Sequence, residues 1–351
     1  MGQRVVISEL GNVPLQAIDE FARLVEMARP DPSTLGPQEV VVDVASAAVG
    51  WVDLLMASGQ YQHVPEPPYT PGLEYAGTVS WAGADTGFAV GARVLIDPFL
   101  SGPRSSGAYR AYGGFASYAV APREAVHAIP GALSFDQACN LLGNYETAYH
   151  CLIARARLAA GETVLIHGAS GAVGLAAVHV AKLVGATVIA TGRSVDKLAV
   201  VKAQGADHVI EPHHSLRDEV KRLTEGRGVE VVYDPVGGPI SVESLRCVRF
   251  GARYLIVGWA ATPFVARGPT ANQLPTNLIM MKGLDVLGCP TVISTVNDPS
   301  IRSARLAQVM AWASSGQLVP YVSRTYLLSD FKAALHAKWR SDFVGGAVLK
   351  P

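Results

Sequence analysis

Three glycines at intervals of three residues, Gly168, Gly171 and Gly174, stand in the run ETVLIHGASGAVGLAAVHVAKLVG, between a β-branched stretch and a helical one. Glycine permits a tight turn and lets the backbone approach a pyrophosphate, which then rests on the positive end of the following helix. Ser170, Ala172 and Val173 complete that turn. Roughly 20 residues further on, where an NAD site carries an acid for the ribose 2′-hydroxyl, this chain has Gly192, Arg193 and Ser194, with Lys197 one helical turn later. Two cations and a hydroxyl suit a 2′-phosphate, so the segment reads as a dinucleotide site preferring NADP(H) to NAD(H). The plain alternative is a pair of solvated cations at a helix start.

The flanking elements support the first reading. From about residue 128, helical segments of 10 to 15 residues alternate with β-branched strands: TVLIHG, TVIATG, HVIE, VEVVYDPVGG and ARYLIVGW. That alternation predicts an α/β fold with a doubly wound parallel sheet. Up to about residue 125 the texture is different: EVVVDVASAAV, EYAGTVSWAG, GARVLIDPF and GGFASYAVAP are short strands bounded by Gly, Pro or Asp. They predict a β-rich, largely antiparallel unit. The tail reads as helix, strand, helix and last strand, returning to the first unit. Residues 260–276, rich in Pro and Thr without either period, read as a long loop bordering a cleft.

A chain of 351 residues exceeds one comfortable core, so two domains are expected. The 29 basic and 29 acidic residues balance, with no long block of either sign, which argues against nucleic acid or an anionic membrane as partner and for a small-molecule substrate. Apolar runs break well before the roughly 20 residues a bilayer needs, and MGQRVVISELG shows neither a signal-peptide apolar region nor the myristoylation Ser or Thr, having Val6 there. A soluble, cytoplasmic protein is expected. Cys139, Cys151, Cys247 and Cys289 are far apart and read as buried apolar thiols rather than a disulfide framework or metal cluster.

VDLLMASGQY, PYTPGLEYAG, VGARV, GGFASYAVAP, NYETAYHCL, the glycine turn, GADHVI, YDPVGG, IVGWAA, NLIMMKGLDVLG and VGGAVL together resemble the zinc-independent quinone oxidoreductase and enoyl reductase branch of the medium-chain dehydrogenase/reductase superfamily. The resemblance implies a GroES-like catalytic domain over 1–127 and 291–351, a Rossmann domain over 128–290 with strand order 3-2-1-4-5-6, an active site in the cleft between them, and a homodimer in which LDVLG pairs across subunits. It also implies hydride transfer to an activated C=C or quinone. Zinc-dependent relatives carry a ligand histidine in GHE, whereas this chain has Gly72, Leu73 and Glu74, and no cysteine precedes Cys139. A metal is therefore not expected. By resemblance Tyr61 faces the substrate, where a phenol can hydrogen-bond an enolate oxygen. Thr147 lies near the nicotinamide with Asn144 bordering the site, Gly258 allows backbone approach to the nicotinamide amide, and Asn277 contacts its second side. The alternatives are a Tyr61 packed on a loop edge and a Thr147 bonded back to its own helix. Gly50 and Gly346 stand where relatives have Asn and Lys, and Gly50 is expected to widen the pocket floor. Two other functions fit the sequence less well: a crystallin-like nucleotide-binding protein with little turnover, and an alcohol dehydrogenase.

Overall fold

The computed structural model describes residues 1–105, 109–211, 213–261 and 272–351. By internal compactness the chain divides into Met1–Gly143 with Ala313–Pro351, and Asn144–Trp312.

The first unit opens with an antiparallel pair, β1 (Gly2–Ile7) and β2 (Ala22–Met27). Its main sheet is organised by β3 (Glu39–Ala48), whose valine-rich run is buried along most of its length. Antiparallel to β3 run β4 (Tyr75–Ala82) and, on a separate path, β6 (Tyr118–Pro122). β5 (Arg93–Ile96) and β7 (Val126–Ala128) extend the sheet beyond β4. Ile7, Val42, Leu54, Tyr75 and Phe115 lie at the centre of this core. The irregular, antiparallel character expected of the N-terminal third is what the fold shows.

The second unit carries a parallel sheet of β8 (Thr163–Ile166), β9 (Thr187–Thr191), β10 (His208–Ile210), β11 (Val229–Asp234), β12 (Val248–Ile256) and β13 (Asp285–Gly288). Their spatial order is β10-β9-β8-β11-β12-β13, the 3-2-1-4-5-6 arrangement implied by the resemblance. Strands covered on both faces by helices read as continuous apolar runs, and in β8 and β9 the VLI and VIAT segments are buried throughout. The helix Ala172–Val184 presses Leu175, Ala177, Val178 and Ala181 inward and stops at Gly185, whose left-handed φ of 86° closes its C-terminus.

The chain then returns to the first unit through β14 (Val322–Leu327), the helix Phe331–Arg340 and β15 (Gly346–Lys350), which lies between β14 and β3. The expected boundaries at 127 and 290 both fall earlier than those of the compact units, for two reasons. The helix Phe135–Ala138 packs on β3 and β4, with Cys139 Sγ 3.6 Å from Ser46 Oγ. The helix Ser300–Ser314 supplies buried cations to the second unit, as described below. Residues 262–271 of the long loop at 260–276 lie outside the described residues.

Candidate functional site

The turn after β8 is braced from behind. His167 is buried, with Nδ1 2.8 Å from Thr191 Oγ1 at the end of β9 and Nε2 2.6 Å from Ser244 Oγ. Burial pushes the imidazole down to about 4, so it is neutral at physiological pH and serves as a strut. Gly168 takes φ 56°, and a Cβ on Gly174 would lie 2.3 Å from the Gly168 carbonyl oxygen. Both glycines are therefore required by the turn itself. The first helical bond runs from Leu175 N–H to the Gly171 carbonyl, so the N–H groups of Ala172, Val173 and Gly174 precede any helical acceptor. Gly171 is exposed and Ser170, Ala172 and Val173 are half-exposed, which leaves that positive helix end open to an anion.

At the end of β9, Arg193 is exposed and Ser194 Oγ accepts from Lys197 N–H at 3.5 Å, capping the helix Val195–Ala203. The Ser194 hydroxyl thus has a structural duty, and its O–H remains a donor. Arg193, Ser194 and Lys197 share one helix start, beside Gly192. Across the sheet, Asp234 ends β11 and collects Ser241 Oγ and Tyr254 Oη, each at 2.5 Å, with the amides of Val236 at 2.8 Å and Gly237 at 3.0 Å. Its backbone carbonyl accepts from Val257 and Gly258, so Gly258 is fixed beside this turn. Asn277 is exposed in the first turn of the helix Thr276–Lys282.

Asn144 and Thr147 are half-buried one turn apart on the helix Leu142–Tyr149. From His150 to Arg155 the helix widens to a π-helix, and Cys151 is fully buried. Between them Glu146 holds a charge network that sequence reasoning missed. Its carboxylate accepts from Arg302 at 2.9 and 2.7 Å and from Arg305 at 2.9 Å, and all three residues are buried. No local signal in the sequence links them, because the arginines lie 156 and 159 positions away along the chain.

In the first unit Tyr61 is half-buried, its phenol accepting from Arg104 Nη2 at 3.4 Å and its ring edge-on to His63 at 6.2 Å. Asp53 is 2% exposed and accepts from the amides of Gly50 at 3.0 Å and Gly72 at 2.9 Å. Burial still pushes it up to about 6, against those bonds, the Leu73 amide and the Arg104 charge. Removal from water pushes Lys338 down to about 8, against the pull of Asp53 and Glu74. A Cβ on residue 50 would lie 2.6 Å from Asp53 Oδ2, so Gly50 makes room for that carboxylate. Likewise a Cβ at 346 would meet Asn140 Oδ1 at 2.4 Å. Tyr69, in Pro-rich surroundings, is 2% exposed, and its hydroxyl has no partner among the described residues.

Among the described residues the donors at the position of the relatives' zinc histidine are otherwise engaged or replaced. Glu74 accepts from the Gly143 amide at 2.6 Å, Leu73 fills the neighbouring position, and among the described residues no three His, Cys, Asp or Glu side chains are grouped to hold a metal.

Two family models match the chain: the alcohol dehydrogenase GroES-like domain over residues 36–131 and the zinc-binding dehydrogenase over 172–310. A quinone oxidoreductase-like protein 2 homolog of Nematostella vectensis is 32% identical over 349 residues, covering 98% of this chain and 88% of its own. Among solved structures, a quinone oxidoreductase of Pseudomonas syringae pv. Tomato DC3000 superimposes with a TM-score of 0.79 at 28% identity, covering 100% of both chains. The Escherichia coli quinone oxidoreductase complexed with NADPH gives a TM-score of 0.79 at 25% identity, covering 99% of this chain and 100% of its own.

Proposed function

The chain belongs to the quinone oxidoreductase branch of the medium-chain dehydrogenase/reductase superfamily, and from that membership we propose that it is an NADPH-dependent reductase delivering hydride, without zinc, to an activated C=C or a quinone. The observation that carries this reading is the Tyr61 phenol, half-buried and hydrogen-bonded by a guanidinium. When bound, the nicotinamide supplies the hydride. The chain supplies the rest. The helix start at Gly171–Gly174 receives the pyrophosphate, and Arg193, Ser194 and Lys197 receive the 2′-phosphate. Gly258 and Asn277 border the nicotinamide amide, with Asn144 and Thr147 on the reacting side. Tyr61 donates to the acceptor's carbonyl oxygen as negative charge builds there, a duty that a fixed donor performs without reorganisation. Because Arg104 donates to the phenol oxygen, the Tyr61 O–H is left to point at that acceptor.

A homodimer through the free edge of β13 accompanies this reading: β13 pairs only β12 among the described strands, and an unpaired edge is a ready template for a second copy. Light scattering on the purified protein tests it.

The function is tested by following NADPH oxidation with a panel of enones, enoyl thioesters and quinones. Turnover of one of these classes that collapses in Tyr61→Phe is the expected result. Tight NADPH binding with no turnover across the panel would replace this reading with a nucleotide-binding protein.

A further inference from the structure

Hydride transfer gives Arg104 no direct partner, yet the fold invests in it. It ends the single turn Gly102–Arg104, on the face of the sheet-end loops where Gly102 approaches Gly113 and Gly72. Its guanidinium lies 5.1 Å from the Phe99 ring centre and 5.8 Å from that of Tyr61. One Nη donates to the Tyr61 phenol, and Nε is buried with no acceptor among the described residues. Among the described residues Arg104 forms no ion pair. Asp53, whose charge it feels, is already occupied by backbone amides. His63, edge-on to Tyr61, also has a buried Nε2 without a partner. Burial and the Arg104 charge hold its pKa below the usual range, so it stays neutral and adds no second cation.

A guanidinium partly withdrawn from water without a counter-ion is costly, and its planar fork matches a carboxylate in two parallel hydrogen bonds. We infer that Arg104 receives a carboxylate carried by the acceptor beside its activating carbonyl, which makes the acceptor an unsaturated 2-oxo acid. The placement follows from Tyr61: a carbonyl oxygen held by that phenol lies next to the guanidinium, so a carboxylate on the adjacent carbon is within its reach. Stoichiometry of charge favours a carboxylate over a phosphate ester, because one guanidinium balances one negative charge, whereas a phosphomonoester carries about −1.5 to −2 at neutral pH. The inference rests on the reductase reading of Tyr61. In the reaction a C–H bond forms at the β-carbon with the hydride from NADPH, and the C=C π pair moves to make the enolate. One proton, supplied from solvent by way of Tyr61, then completes the saturated 2-oxo acid, while the carboxylate is unchanged.

The test compares benzylidenepyruvate with its methyl ester as acceptors, using wild type, Arg104→Met and Arg104→Lys with NADPH. The ester is the more electrophilic, so a preference for the acid has to come from the protein. The expected wild-type ratio of kcat/KM, acid over ester, is about tenfold to a hundredfold, the range of a charge-assisted pair. In Arg104→Met the ratio falls toward one, whatever loss is common to both acceptors, and Arg104→Lys recovers part of it, which a merely structural arginine would not produce. A wild-type ratio near one, or a ratio unmoved by Arg104→Met, overturns the inference while leaving the reductase reading intact. A second arm measures binding of the saturated product acid to the NADP+ complex. Binding lost in Arg104→Met without any turnover by wild type upholds the carboxylate site and sinks the reductase reading, and binding indifferent to Arg104 sinks the site.

Discussion

Behind the glycine turn His167 has both ring nitrogens engaged and Asp234 collects four donors, and among the described residues there only the neighbouring Tyr233 hydroxyl is buried without a partner. Between Gln60 and Arg104 the pattern reverses, with Gln60 Oε1, His63 Nε2, Tyr69 Oη, Thr70 Oγ1 and Arg104 Nε all buried and unpartnered among the described residues. Buried polar atoms are ordinarily satisfied, so the contrast separates two tasks. A closed network fixes a backbone cradle for a ligand of invariant shape. Open valences await a ligand that varies, or water.

If closed networks hold structure and open ones hold function, variants in the two regions should fail differently. The largest effect is expected at Glu146, where Glu146→Ala strands two buried guanidiniums. Breaking a buried ion network of this kind costs about 3–5 kcal/mol, read as a lowered midpoint in chemical denaturation, and a loss below about 1 kcal/mol would show that water can replace the carboxylate. Next comes Tyr61→Phe, expected to lower kcat by roughly a hundredfold or more, since an oxyanion donor is worth about 2.7–4 kcal/mol. Stability and NADPH binding should hold. Single-turnover rates within threefold of wild type, with hydride transfer rate-limiting, would move the oxyanion contact to Thr147 or to water. Arg193→Ala is expected to weaken NADPH by about 1.5–3 kcal/mol and NADH far less, measured as dissociation constants. An unchanged NADPH affinity would remove the 2′-phosphate assignment.

The effect that is smallest per step of the measurement concerns pH. His167 titrates near 4 in the fold against an unfolded value near 6.5, so the neutral form belongs to the native state. Its stabilisation is complete above pH 6.5 and drains away as pH falls toward 4. The advantage of wild type over His167→Gln in unfolding free energy should shrink by about 1.4 kcal/mol per pH unit over that window. Parallel pH profiles would mean the ring titrates alike in both states.

What the sequence made legible divides along the same line. The strand order came with the family resemblance, whereas the glycine turn and the Arg193–Lys197 helix start were readable because each depends on local periodicity and on residues within one or two turns of chain. Glu146 with Arg302 and Arg305 was not, because its partners lie far away along the chain and no local pattern announces a buried ion network. Gly50 looked like a gap in the pocket floor, yet the space belongs to Asp53, three residues on. The Pro-rich context of Tyr69 signals an exposed turn, and the isolated bridge between Ile7 and Tyr69 overrides it. Arg104 carried no sequence signal: an arginine between Pro103 and Ser105 reads as surface until its neighbours are known.

The position of β15 between β14 and β3 has a consequence for biosynthesis. Ala48 pairs with Val348, about 300 residues later, and at the usual elongation rates of about 5–20 residues per second the wait is roughly 15–60 s. Throughout that interval the second unit can emerge and condense around its own core, while β3, covered by β6 along Glu39–Asp43, waits with the Ala47–Ala48 end of that flank uncovered. An exposed strand flank of this apolarity is an invitation to self-association, so the nascent chain, rather than the finished one, is where this molecule is most in need of a chaperone.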